Sequence, residues 1–362
     1  MQNWIVPLAK PVPDCDRFIR ALMGEITPAR PPLIEYLVDE ALRRPITLDM
    51  MGREWARPDS DRASQAAYWD NFADFWRRMG YDYVRLELGL AFASHSIAGA
   101  DRTMVSHTRH WADEHRNVIA SFSDLEAYLW PEVAKVDLFP LEYLATHLPE
   151  GMGLITNHAG GPFEVVTQIM SYEGFCLALY DAPDLVREVC EHVGSLMLCY
   201  YRQLVELPNL IALLQGDDMG FRSAPLAPPD VLRELILPWH QRFAQLAHDR
   251  GVPYFLHSCG QLAPLMEDLI EVVGIDGKHS FEDAILPAPE FQVRYGDRIA
   301  TLGGVDVNLL AGGSPEQVQA RTRELLTLCA PKGRYAIGSG NSIPSYVPVE
   351  SYLAMLDTAL TW

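Results

Sequence analysis

Basic residues are scarce in this chain of 362 residues: 29 lysines and arginines face 48 aspartates and glutamates, for a formal net charge of −19. A field of that sign repels nucleic acid and anionic membrane surfaces, so neither is expected as a partner. Long apolar runs are also missing. No window reaches the roughly 18 to 20 continuous apolar residues of a membrane span, and Met1 to Leu8 has neither the basic start nor the apolar stretch of a secretory leader. A cytoplasmic protein is expected. Cysteine is sparse too. The six present (Cys15, Cys176, Cys190, Cys199, Cys259 and Cys329) are too scattered for a disulfide framework in so long a chain. Cys176, Cys190 and Cys199 fall in apolar helical stretches and read as core thiols. Only Cys259 has a polar partner at ligand spacing.

What the sequence does hold is the mix of a globular protein with a substantial core, 49% hydrophobic and 21% charged. Residues 1–30 carry several prolines and one helical segment and read as an N-terminal extension. From 31 onward, short apolar runs alternate with amphipathic stretches. Strands are expected at 32–38, 82–88, 152–157, 209–214, 253–256, 274–278, 297–302 and 334–337, each followed by a helix or a long excursion. Eight such units are the signature of a (β/α)₈ barrel, an α/β fold of TIM type, here as one domain over 31–362. The excursion at about 89–122 has no clear periodicity and is expected near the barrel mouth as a lid-like insertion. It holds His95, His107, His110 and His115, whose spacing matches no ligand motif. After it, Ser123-Asp-Leu-Glu126 reads as a capping box for the next helix.

Strand ends and the loops after them form the active face of such a barrel. The polar residues collected there are Glu35, Glu87, Asn157, His158, Gln215, Asp217, Asp218, His257, Cys259, Lys278, His279, Asp306, Ser339 and Asn341. Polar turns account for part of that set on their own. His257 and Cys259 stand out, because two residues apart on a strand they point to the same side. An imidazole and a sulfur so placed make half of a zinc site, or else a hydrogen-bonded pair in a metal-free pocket. Lys278, His279, Glu282 and Asp283 add a cation, an imidazole and two carboxylates after the next strand. That group suits general acid work or internal pairing.

Taken together, Leu256-His-Ser-Cys-Gly260, Gly303-Gly-Val-Asp306, Gly216-Asp-Asp218 and Gly161-Pro-Phe-Glu164 resemble the uroporphyrinogen decarboxylase superfamily. The likeness extends to Arg109-His-Trp-Ala-Asp-Glu-His115 and Ser339-Gly-Asn-Ser-Ile-Pro344, and so covers roughly residues 15 to 361. One branch of that superfamily decarboxylates uroporphyrinogen. Another moves methyl groups between small molecules, thiols or folates and the cobalt of a corrinoid protein. The decarboxylases carry an Arg-rich motif in the first strand region, where this chain reads Arg30-Pro-Pro-Leu-Ile-Glu-Tyr36. Carboxylates at the mouth would repel a polycarboxylate substrate.

The resemblance therefore implies the methyltransferase branch, whose zinc enzymes use a His-X-Cys pair matched by His257 and Cys259. It implies a zinc ion and a corrinoid-carrying partner protein. The substrate would be a thiol, methoxyaromatic, methylamine or folate, bound by Asn157, His158, Asp217, Asp218, Lys278, Asp306 and Asn341. His257, Cys259, Glu282 and His279 would carry the chemistry. The third ligand of those enzymes, a second Cys in the last loop, is absent. Ser339, Asn341 and Ser342 stand there, and Asp217, Asp218, Glu282 or His279 would have to replace it. A decarboxylase and a non-catalytic, metal-free relative remain the alternatives, and a homo-oligomer is compatible with the sequence.

Overall fold

Apolar runs of only a few residues, closed by glycine or a helix cap, leave room for short strands and little else. In the computed structural model, which describes residues 4–56, 61–100 and 108–362, seven of the eight expected runs form strands. The strands are β1 (Tyr83–Arg85), β2 (Ser96–Ala100) and β3 (Thr108–Ala112), the last two in the excursion, then β4 (Gly153–Thr156), β5 (Leu210–Gly216), β6 (Tyr254–His257), β7 (Gly277–His279), β8 (Ala300–Leu302) and β9 (Tyr335–Ala336). Seven of them make one parallel sheet in the order β1-β4-β5-β6-β7-β8-β9. Helices occupy the connections, and β1, β4 and β6 to β9 are buried along their whole length, as strands covered on both faces must be.

The segment expected as the first strand, 32–38, lies beyond β9 and is tied to the sheet by two isolated parallel bridges, Leu33 to Ile337 and Val38 to Ile343. Pro31 and Pro32 have no N–H to give, which shortens its ladder. On its other side stands β1. Among the described residues no backbone pairing joins the two. The Tyr83 hydroxyl bridges them instead, accepting from Glu35 N at 2.6 Å and donating to Glu35 O at 3.1 Å. Across this seam the Tyr83 phenol supplies the link to the 32–38 backbone, and the Tyr36 hydroxyl adds a side-chain bond to Glu87 at 3.1 Å.

The outer helices follow the expected order with breaks that have local causes. The helical stretch after β4 splits at Ser171 into Pro162–Met170 and Tyr172–Asp181, and Pro183–Leu204 follows. The helical stretch after β5 breaks at Ile236 into Pro229–Leu235 and Leu237–His248, because the Pro238 ring would clash with a carbonyl of the turn before it. The cap read at Ser123 belongs to Ser121, which accepts from Asp124 N and opens Phe122–Ala127. Of the three cysteines read as core thiols, Cys190 is buried, Cys176 is half-buried and Cys199 is exposed. Cys199 falls on the outer side of its helix. The excursion contains the antiparallel hairpin of β2 and β3. His107 lies outside the described residues, and His115 is on the surface, paired with Glu173. No described helix is long and apolar enough to cross a membrane.

Candidate functional site

Strand β6 ends at His257, and the chain then turns through Ser258 and Cys259 into Gly260. At the end of the neighbouring β5, Asp218 turns inward. His257 Nε2, Cys259 Sγ and an Asp218 carboxylate oxygen all lie within 4.8 Å of one another. The sulfur sits 3.6 Å from Nε2, and Asp218 Oδ1 sits 3.7 Å from the same nitrogen. Ligands about 2.0 to 2.3 Å from a tetrahedral zinc are separated from one another by spacings of this order.

The hydrogen bonds behind His257 decide its tautomer. Its Nδ1 is 2.6 Å from His279 Nδ1, so one of the two carries the proton. His279 Nε2 is 3.1 Å from the Ser339 carbonyl, which only accepts. His279 is therefore protonated on Nε2 and accepts on Nδ1, and His257 donates from its own Nδ1. The lone pair of His257 Nε2 is left facing Cys259 and Asp218, as a metal ligand requires. Both rings are neutral: burial, then the charges of Lys278 and Arg85, push His279 down to about 3. Burial with His279, Lys278 and Arg85 pushes His257 well below its ordinary value. The Asp218–His257 contact is accordingly not an ion pair.

Cys259 is held from several sides. Its N–H donates to Asp218 Oδ1 at 2.8 Å. Its sulfur accepts from Asn341 Nδ2 at 3.2 Å and Ser280 Oγ at 3.6 Å. Burial above all, then Asp218, raises the thiol, and burial likewise raises Asp218. Groups pushed toward protonation in this way are those a divalent cation would deprotonate, so the donor set fits a zinc ion. Lys278 lies buried alongside, its Nζ donating to Ser280 O at 2.6 Å and Ser258 O at 3.3 Å. Burial lowers it to about 8 against the opposing pull of Cys259, Asp218 and Glu282. Glu282 accepts from Gly260 N at 3.2 Å and pins the turn after Cys259.

Beneath the triad is a buried network that the sequence reading did not assemble. Tyr36 stacks on His257 with ring centroids 4.0 Å apart, and the Arg85 guanidinium lies 3.7 Å over Tyr36. Arg85 Nη2 donates to Glu87 at 2.9 Å and to Asn157 Oδ1 at 2.8 Å. Burial works to raise Glu87, but the charge and hydrogen bond of Arg85 outweigh it and hold the carboxyl below its usual range. Asn157, expected at the substrate, belongs to this network. Tyr36 gave no signal of its own, since alternation along 32–38 marks it only as facing the other way from Glu35.

Three residues expected to line the substrate pocket are instead taken up by the frame. Asp217 is buried and turned outward, accepting from Phe163 N at 3.1 Å, Glu164 N at 3.0 Å and His240 Nε2 at 2.8 Å. Its neighbour Asp218 takes the inward direction, as successive residues at a strand end do. His158 has both ring nitrogens on backbone partners, Gly160 O and Leu90 N, each at 2.9 Å. Asp306 caps helix Val307–Gly312 and accepts from Asp283 N.

A cavity of about 550 Å³ opens beside Asp218, lined by Asp113, Glu114, Phe163, Glu164, Tyr172 and Phe221 among others. Two of these come from the chain just after the hairpin. Glu164, quoted in the sequence only as the end of the Gly161-Pro-Phe-Glu164 motif, lines this space. Burial first, then Asp217 and Asp218, raise its carboxyl to about 8.

Comparison with known proteins follows the same line. The family description Uroporphyrinogen decarboxylase (URO-D) matches residues 73–362. A methylated-thiol–coenzyme M methyltransferase of Methanosarcina mazei is 32% identical over 133 residues, 36% of this chain, and the match spans only 33% of that relative's length. A solved methyltransferase from Methanosarcina mazei superposes with a TM-score of 0.69 at 17% identity, over 95% of this chain and 97% of that one. Its fold is shared.

Proposed function

The chain belongs to the uroporphyrinogen decarboxylase family, and from that premise we propose that it is a methyltransferase, moving a methyl group between a small molecule and a corrinoid-carrying protein. The observation that carries this reading is the triad Asp218, His257 and Cys259, with the His257 lone pair turned toward the other two ligand atoms. These residues would hold a zinc ion. When bound, zinc keeps a thiol deprotonated at neutral pH or polarises a methyl-bearing heteroatom.

The chain's own residues do the rest. His279 fixes the tautomer of His257. Asn341 and Ser280 hydrogen-bond the sulfur and so favour its anionic form. Glu164, protonated at neutral pH, can hand a proton to a leaving or arriving atom in the cavity. Phe163, Tyr172 and Phe221 supply the apolar wall that excludes water from the methyl group. The substrate is a thiol, methoxyaromatic, methylamine or folate. The decarboxylase alternative is disfavoured because Arg85, the cation buried at the barrel centre, is already engaged by Glu87 and Asn157. Its charge is already matched by the Glu87 carboxylate, although its Nε and Nη1 have no hydrogen-bond partner among the described residues.

Metal analysis of protein purified without chelator tests the reading. About one zinc per chain is expected, lost in Cys259→Ser, with His279→Leu weakening zinc affinity by roughly 10 to 100-fold. Metal-free wild-type protein sinks the zinc version. Methyl transfer to or from added cobalamin, assayed against thiols, methoxyaromatics, methylamines and folates, is the functional arm, and silence across all four classes sinks the transferase.

A further inference from the structure

A second cavity, of about 350 Å³, lies on the face of the barrel away from the triad. Its wall is made by the N-terminal segment around Ile5 to Pro13 and by Arg30–Leu33 and Gly80–Asp82, which lead into strand segments at their N-terminal ends. Lys10, Arg17, Arg30 and Arg77 all line it, against a single carboxylate, Asp82. In a chain of net charge −19 this is an anomaly.

Elsewhere Arg53, Arg233, Arg298 and Arg321 each hold a carboxylate, while others such as Arg43 and Arg78 bond only backbone carbonyls. What sets the cavity apart is four cations converging on one space. Among the described residues none of the four cavity cations makes an ion pair within 4.0 Å. Arg30 gives one N–H to the Leu360 carbonyl at 2.8 Å, at the end of the closing helix. That carbonyl is a partial countercharge. Arg77 Nε is buried with no partner at all. Asp82 accepts from Asp14 N at 2.8 Å, and burial raises it to about 6 despite the pull of Arg17 and Arg30. Burial and then the facing charge of Arg17 lower Arg30. Like charges converge here without the anion that would balance them.

We propose that this cavity binds a small oxyanion of the phosphate type, carrying two or more negative charges. Planar guanidinium forks match tetrahedral oxyanions with paired N–H donors, and partial burial strengthens each bond. The volume exceeds that of phosphate itself and leaves room for a short organic portion. Because it sits at the N-terminal ends of the strands, the site is separate from the reaction at the mouth. It does not depend on the methyltransferase reading.

Calorimetric titration of the full chain with inorganic phosphate and with glycerol 3-phosphate, at fixed ionic strength and with chloride as the control, tests it alongside melting curves. Saturable binding is expected, with a rise in Tm that chloride does not reproduce. The double variant Arg17→Gln, Arg77→Gln should bind about tenfold or more weakly and, without phosphate, should melt above the wild type, because uncompensated charge is gone. Arg77→Lys keeps the charge but not the fork, and should fall between the two. Zinc content should be unchanged in all of them. Tighter binding of glycerol 3-phosphate assigns the site to a monoester, and equal binding assigns it to free phosphate. A non-saturating response shared by wild type and double variant overturns the site, as does phosphate affinity undiminished in the double variant.

Discussion

Glu35 shows how a single residue ties pH to the architecture of the site. It is fully buried, and burial raises its carboxyl to about 8, against the lowering effect of hydrogen bonds from Ser339 and Tyr36. At neutral pH it is a neutral acid in contact with Ser339 Oγ at 2.5 Å, and that hydroxyl donates onward to Asn341 O at 2.8 Å. The loop that brings Asn341 to the sulfur is therefore anchored on a protonated carboxyl. A carboxyl raised in the folded state gives stability that is complete below the unfolded value near 4.5 and is lost as pH rises through about 8. The loss is on the order of 5 kcal/mol. Glu35→Gln keeps the hydrogen bonds without the ionisation. Denaturant melts should show it near wild type at pH 5 and more stable at pH 8, with a shallower slope between. Glu164 contributes with the same sign, so the slope is reduced and not abolished. An unchanged slope would contradict the assignment.

At the scale of elements, the junction of β5 with its outer helices rests on Asp217. The N-terminus of helix Pro162–Met170 presents its free N–H groups to this carboxylate, and His240 closes the arrangement from Leu237–His248. Gly161 permits the approach, since a Cβ there would collide with the Asp217 side chain. Asp217→Asn leaves buried donors poorly matched and should cost about 2 to 4 kcal/mol by chemical denaturation, with zinc binding at Asp218 retained. Loss of zinc without loss of stability would instead place Asp217 in the pocket.

This pair also marks the limit of what could be read from the sequence. Apolar runs and caps placed seven of the eight expected strands in order, because period and turn chemistry are local, while the run 32–38 and the hairpin of β2 and β3 escaped them. His257 and Cys259 were legible for the same reason, being two residues apart on one strand. Which of Asp217 and Asp218 faces inward is set by the register of β5 against β4 and β6, and that is a tertiary fact. The network of Tyr36, Arg85 and Glu87 joins strands distant in sequence, and no spacing announces it. His158 and Asp306 looked functional because a polar residue at a strand end looks the same whether it meets a substrate or a backbone amide.

For the molecule as a whole, the seam between 32–38 and β1 is the place where a ladder is missing. Tyr83→Phe removes the two hydrogen bonds between the phenol and the Glu35 backbone and should destabilise the fold by about 1 to 3 kcal/mol. Hydrogen exchange at the Glu35 amide should quicken more than exchange in β5 and β6. Uniform change across the sheet would mean that the phenol has no special part in closure.

The residues flanking that seam also hold the site: Glu35 anchors the loop of Asn341, and Tyr36 lies against His257. The barrel behaves as a hoop with one clasp, and the clasp sits next to the ligands. Filling the triad and fastening the hoop draw on the same side chains, so whatever engages His257 also stiffens the circumference, and the wear point of the ring doubles as a gauge of whether its centre is loaded.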